Sequence, residues 1–159
     1  MPSQVLSKQS LEAQAFVSLV RAHASATRRL NAQLTAEHAL TLSDFEVLLR
    51  LARAQDRRMR RVDLAEDVLL TASGITRLLD GLEQQGFVER AACAADRRVV
   101  YAVITDRGLA KLRKAARSHF AQVNELFGDR YDEGELTELG SLLARLGGES
   151  SEECEVPGS

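Results

Sequence analysis

Apolar residues recur three and four positions apart through most of the chain, the signature of helices that each bury one face. Over about Gln9–Leu34 the positions Phe16, Leu19, Val20, His23, Thr27, Leu30 and Leu34 share a side, which predicts one long amphipathic helix. A second helix is expected to open at Ser43, where Ser43 and Glu46 match an S-x-x-E capping box and Leu42 can staple onto Val47. Its apolar side carries Phe45, Leu48, Leu49 and Ala52, and the polar run Gln55-Asp56-Arg57-Arg58 stops it. Val62–Leu69 reads as a short helix with Leu64, Ala65 and Val68 facing in and Asp63 in its first turn. Thr71 suits the cap of the next, which continues through Gln85 on the stripe Ile75, Leu78, Leu79 and Leu82 before Gly86 ends it.

After Gly86 the period changes. Phe87–Cys93 and Arg98–Thr105 are short strand-compatible runs around Ala94-Ala95-Asp96-Arg97, which predicts a β-hairpin as the only strand-like stretch. Thr105 then caps a long helix over about Asp106–Phe127, with Leu109, Leu112, Ala116, Phe120, Val123 and Phe127 at three- and four-residue spacing. A second capping box, Asp132 to Glu135, opens a last helix through Leu136, Leu139, Leu142, Leu143 and Leu146, closed by Gly147-Gly148. The predicted order is α-α-α-α-β-β-α-α, a mostly α fold.

Composition agrees: 159 residues, 45% apolar, with 2 prolines and no tryptophan, are enough for a helical core. No segment approaches the roughly 20 apolar residues of a membrane span, and Met1–Ser10 lacks a basic stretch followed by an apolar run, so cytoplasmic residence and no membrane partner are expected. Cys93 and Cys154 have neither C-x-x-C spacing nor a histidine at zinc-finger spacing, and His23, His38 and His119 stand at unrelated spacings, so no disulfide, metal or cofactor is predicted. Cys93 reads as an inert thiol beside the hairpin tip. The net charge of −2 hides a polarity: Arg57–Arg117 holds 13 Lys+Arg against 8 Asp+Glu, while Ser118–Ser159 holds 2 against 10. A basic middle joined to an acidic end offers a cationic face to phosphates.

The chemistry in that basic middle is that of groove reading. Two short helices joined by a tight turn, the second exposing Ser73, Gly74, Thr76 and Arg77 near its N-terminus, suit a major groove. Ser73 and Thr76 can donate to phosphates or base edges, Gly74 permits close approach, and Arg77 can pair with guanine through two hydrogen bonds. The hairpin that follows puts Arg97 and Arg98 at the tip of a narrow ribbon that fits a neighbouring minor groove, with Asp96 pinning the loop. Arg60 and Arg61, in a cluster with Arg57 and Arg58, are secondary phosphate candidates. No G-x-S-x-G, P-loop, H-E-x-x-H or dinucleotide fingerprint occurs, so an enzyme is not predicted.

Ile75-Thr76-Arg77-Leu78-Leu79-Asp80, Gly86-Phe87-Val88-Glu89-Arg90, and Asp96-Arg97-Arg98 ending in Ile104-Thr105-Asp106-Arg107-Gly108 resemble the MarR family of bacterial regulators over about residues 9 to 147. The resemblance implies a winged helix-turn-helix homodimer that grips a palindrome in double-stranded DNA, most often as a repressor. It divides the chain into an N-terminal dimerisation helix (1–38), a DNA-binding region (39–105), C-terminal dimerisation helices (106–147) and a disordered tail (148–159). Phe16, Leu19, Leu112, Phe120, Val123, Phe127, Leu139 and Leu142 are the expected dimer contacts. Many members are released by a small aromatic or phenolic anion bound between the dimer helices and the DNA-binding lobe. His23, Arg28, Phe45 and Glu46 are the residues here that fall near such a crevice. The sequence departs from two subtypes of the family: no cysteine occupies the first helix, as in peroxide sensors, and the tryptophan of urate-responsive members is absent. A winged-helix module that binds protein instead of DNA is the alternative, and it has no need of paired arginines at the wing tip.

Overall fold

A computed structural model describes residues 10–68 and 70–147, which form two units, one ending at Phe120 and the other beginning at Ala121. The first unit opens with α1 (Leu11–His38), whose first turn is capped by the Ser10 hydroxyl accepting from the Ala13 N–H at 3.2 Å. The helix runs four residues past the expected end, to Ala39 in the left-handed region at φ 53°. Of the expected stripe only Leu30 and Leu34 are buried, joined by His38; Phe16, Val20 and His23 are exposed.

The second helix, α2 (Leu42–Arg53), begins earlier than the Ser43 box predicts. Thr41 is the cap: its hydroxyl accepts from the Asp44 N–H at 3.0 Å, and the Asp44 carboxylate accepts from the Thr41 N–H at 2.8 Å. Two overlapping boxes compete in this sequence, and burial selects between them. With Thr41 as cap, Leu40 and Phe45 take the staple positions, and both are buried in the core.

A 3-10 turn, Gln55–Arg57, leads into a strand that the hydropathy pattern did not predict, β1 (Arg58–Arg60). It pairs antiparallel with β3 (Val100–Ile104), Met59 opposite Ala102, and β3 pairs on its other side with β2 (Val88–Ala92). The sheet order is β1-β3-β2. Three residues are too few for a period to register, and the pleat is marked only by Met59, half-buried between exposed Arg58 and Arg60. The Arg58 guanidinium instead covers the Tyr101 ring at 4.8 Å, a cross-strand cation–π contact.

Between β1 and β2 lie α3 (Arg61–Asp67) and α4 (Ala72–Gln84). The predicted end of α3 at Leu69 falls outside the described residues. Gly86, at φ 75°, turns the chain from α4 into β2 in a conformation that a side chain would strain. The core gathers Leu34, Leu40, Phe45, Leu48, Leu51, Leu64, Ile75, Leu82, Phe87, Val88 and Ile104, with Leu109, Leu112 and Ala115 from α5 (Asp106–Gly128) and Met59 of β1 packed against it half-buried. The second unit holds the end of α5 and α6 (Glu133–Gly147), which opens on the predicted box: the Asp132 carboxylate accepts from the Glu135 N–H at 2.9 Å, and the Glu135 carboxylate accepts from the Asp132 N–H at 3.0 Å. The expected disordered tail lies outside the described residues. Mostly helical, with a β-hairpin wing after a helix-turn-helix, the architecture is the winged helix-turn-helix that the pattern predicts.

Candidate nucleic-acid interface

The helix-turn-helix is α3, the turn through Leu70 and Thr71, and α4. Thr71 caps α4 by accepting from the Gly74 N–H at 3.0 Å. Gly74 is thereby given a second reason to lack a side chain, since a Cβ there would sit 3.1 Å from the capping hydroxyl. Ile75, Leu79 and Leu82 anchor one face of α4 in the core, which turns Ser73 and Arg77 to the exterior, where both are exposed. Among the described residues Arg77 has no ion pair or hydrogen-bond partner, so its guanidinium is available to a ligand.

Thr76 is placed differently. Its hydroxyl donates to the Ala72 carbonyl at 2.8 Å and accepts from Arg61 Nη1 at 3.3 Å, so its one donor is spent within the lobe. Arg60 is also occupied: two bonds of 2.7 and 2.9 Å hold it to the Asp63 carboxylate, which raises the guanidinium pKa above its ordinary value through hydrogen bonding and charge. Arg60 and Arg61 thus border the interface with intramolecular partners, unlike Arg77.

The wing tip is a turn from Asp96 to Val99, closed by the Val99 N–H donating to the Asp96 carbonyl at 3.1 Å. The Asp96 carboxylate accepts from the Arg98 N–H at 3.0 Å and lies 3.6 Å from Arg98 Nε. Those bonds hold the backbone and leave the Arg98 side chain 95% exposed beside exposed Arg97. Cys93, half-buried and free, contributes its N–H to Val99 at the base of the loop at 3.1 Å. Between wing and α3 a cleft of about 190 Å³ is lined by Arg60, Arg61, Val62, Asp63, Arg98 and Val100 among others.

An ion cluster missed in the sequence ties the wing to the reading helix. Arg90 on β2 donates from Nη2 to the Asp80 carboxylate, and its Nε lies 2.8 Å from Glu83 Oε2, both on α4. The spacing of three between Asp80 and Glu83 puts both on one helix face. Only their closeness to Arg90, ten residues from Asp80, was not legible.

Two expected roles need correction. Leu112, assigned to the dimer surface, is 6% exposed and belongs to this chain's own core, so it is not free to meet a second copy. Phe45, assigned to an effector crevice, is 2% exposed and packs on the rings of His119 at 4.5 Å and Phe120 at 6.3 Å. His23, Arg28 and Glu46 are exposed. Of the other expected dimer contacts, Phe16, Phe120 and Leu142 are exposed, and Leu19, Val123, Phe127 and Leu139 are half-buried. No helix among the described residues is long and apolar enough to cross a membrane.

Comparison with known proteins converges on one group. The model of the MarR family matches residues 40–100, from the start of α2 to the wing. The chain is 30% identical over 132 residues to the HTH-type transcriptional regulator MhqR of Bacillus subtilis, covering 83% of this chain and 88% of that one. It is 32% identical over 114 residues to the HTH-type transcriptional repressor YetL of the same organism, covering 70% of this chain and 68% of the other. Among solved structures, a MarR family transcriptional regulator from Streptomyces coelicolor in complex with DNA superposes with a TM-score of 0.80 at 27% identity, over 88% of both chains. AbsC, a MarR family regulator from the same organism, gives 0.79 at 30% identity over 89% of this chain and 95% of its own.

Proposed function

The chain belongs to the MarR family of DNA-binding transcriptional regulators, and from that membership we propose that it is a homodimeric repressor. In this reading α4 enters the major groove of each half of a palindromic operator, and each wing reaches the adjoining minor groove. Arg77 and Ser73 face base edges; Arg97 and Arg98 take the narrow groove, whose negative potential favours guanidinium groups. The observation that carries this reading is the pairing of an unpartnered, exposed Arg77 with a 95% exposed Arg98 on adjoining elements of one lobe. The repressor assignment is supported by the relative of that name in B. subtilis, and the DNA assignment by the DNA-bound structure from S. coelicolor. A protein-binding winged helix would have no use for either arginine.

The dimer is supported by apolar side chains that the single chain leaves uncovered: Leu11, Phe16 and Val20 on α1, Phe120 on α5, and Leu142, Leu143 and Leu146 on α6. Two-fold symmetry then sets the half-sites about one helical turn, roughly 10 bp, apart. Release by a small aromatic or phenolic anion completes the proposal. It rests on the family resemblance, and a thermal-shift screen of such acids checks it, because a ligand of the folded protein raises its melting temperature.

The deciding experiment enriches duplexes from a random library with the protein and measures binding by fluorescence anisotropy over a salt series. The expected result is a palindromic consensus. Arg77→Ala should lose about 1–3 kcal/mol on it, the worth of a bidentate guanine contact, with little loss on a scrambled duplex. Failure to enrich any sequence overturns the proposal.

A further inference from the structure

The reading helix does not lie flush on the sheet. Between α4 and the β2–β3 ribbon a cleft of about 50 Å³ opens, with Thr76 and Leu79 on the helix side and Val88, Tyr101 and Ala102 on the sheet side. That is room for a few water molecules, so Ile75, Leu79 and Leu82 anchor α4 in the core while this stretch between helix and ribbon is left without direct apolar contact. Arginines bridge the gap at its rims. Arg61 reaches Thr76 at 3.3 Å, and Arg90 on β2 holds both Asp80 and Glu83, one through Nη2 and the other at 2.8 Å from Nε. Arg90 is therefore the one wing residue among those described that is bound twice to the helix, and with both carboxylates engaged it is not offered to phosphate.

We propose that Arg90 is a positioning residue for DNA recognition: a strut that fixes α4 relative to the wing, so that Arg77 and Arg98 meet consecutive grooves together. The proposal rests on the DNA-binding reading above. Two observations shape what the strut does. Its three side chains are each roughly half exposed, and ion pairs of that kind add little to folding stability. A constellation of contacts, in contrast, tolerates only about 0.5 Å or 10–20° of misplacement. Loss of Arg90 should then be felt in recognition and not in melting.

The test uses the full chain, the duplex it enriches from a random library, and a scrambled duplex of the same composition. Anisotropy titrations at several salt concentrations compare the wild type with Arg90→Ala, Arg90→Lys, Asp80→Asn and the double variant Arg90→Ala/Asp80→Asn, with Arg77→Ala as reference. Arg90→Ala and Asp80→Asn should each weaken the selected duplex about tenfold, equivalent to about 1.4 kcal/mol, without weakening the scrambled one. The slope of log affinity against log salt should stay at the wild-type value, Arg90→Lys should recover part of the loss, and the double variant should be no weaker than Arg90→Ala, since the two act as one unit. Equal losses on both duplexes with a slope smaller by about one would instead make Arg90 a phosphate contact and overturn the strut. So would undiminished binding by Arg90→Ala while Arg77→Ala fails. A wild type that enriches no sequence would remove the DNA reading itself, an outcome distinct from both.

Discussion

His119 is the buried titratable group with an unsatisfied atom. It is 7% exposed, its ring lies 4.5 Å from Phe45 and 5.5 Å from Phe120, and its Nδ1 has no hydrogen-bond partner among the described residues. Burial disfavours the imidazolium and holds the pKa below the ordinary 6.5. The unfolded chain therefore binds more protons than the folded one between the depressed folded value and 6.5. The stability due to neutral His119 is complete above 6.5 and is lost as pH falls through that window. The urea midpoint of the wild type should fall on going from about pH 7.5 to pH 5, and His119→Phe, which keeps an aromatic ring against Phe45, should flatten that fall. Equal pH dependence in the two proteins would remove the role assigned to His119. In the sequence nothing marks His119 beyond its being one of three histidines at unrelated spacings. What separates His119 is the phase of α5, which buries Leu109, Leu112, Ala115 and His119 and leaves Phe120 out.

At the scale of elements, legibility followed the length of the repeating pattern. The helices α4, α5 and α6 were readable because caps and stripes agreed over several turns: Thr71, Thr105 and Asp132 all cap where the sequence put them. The start of α2 was misplaced by two residues because the sequence offers two boxes, and only the burial of Leu40 decides between them. The strand β1 was missed because its three residues owe their conformation to pairing with β3, a partner some forty positions away. The turn from wing to α5 was recognised as a motif, and the structure supplies its physics. The Thr105 hydroxyl donates to the Gly86 carbonyl at 2.7 Å and accepts from the Gly108 N–H at 3.0 Å. The Thr105 N–H donates to the Phe87 carbonyl at 3.0 Å, and that carbonyl presses on Gly108. A Cβ at Gly108 would collide with the Phe87 oxygen and sit 2.8 Å from Ile104 Cγ1. Backbone cannot give way as a side-chain tip can, so Gly108→Ala should destabilise the protein by about 2–3 kcal/mol in urea titrations. Gly128→Ala is the control, since a Cβ there meets nothing within 4 Å. Equal midpoints for the two variants would show that the close approach at Gly108 carries no strain.

For the whole molecule, the exposed apolar positions set the constraint. Phe16 at 65%, Leu142 at 50% and Leu146 at 74% exposure lie on helices at opposite ends of the sequence, and scattered surface leucines alone would call for no explanation. Two helices each carrying such a stripe are another matter, because a stable interface needs on the order of 1,200–2,000 Å² of buried surface with an apolar centre. If a second copy supplies that cover, stability and DNA binding are both coupled to protein concentration. The melting temperature should rise with protomer concentration, and sedimentation should give a dimer at micromolar concentration. Phe16→Glu and Leu142→Glu each place a carboxylate where the partner's apolar face must sit, at a cost of several kcal/mol, and should shift the population to monomer. A monomer keeps Arg77 and Arg98 intact and can still hold one half-site. Joining two half-sites raises effective concentration enough to add about 10²- to 10⁴-fold, so the variants should lose that factor on the full palindrome while matching the wild type on an isolated half-site. A wild type that stays monomeric, or a glutamate variant that keeps full affinity for the palindrome, would mean that recognition proceeds one lobe at a time and that the apolar stripes serve some other contact.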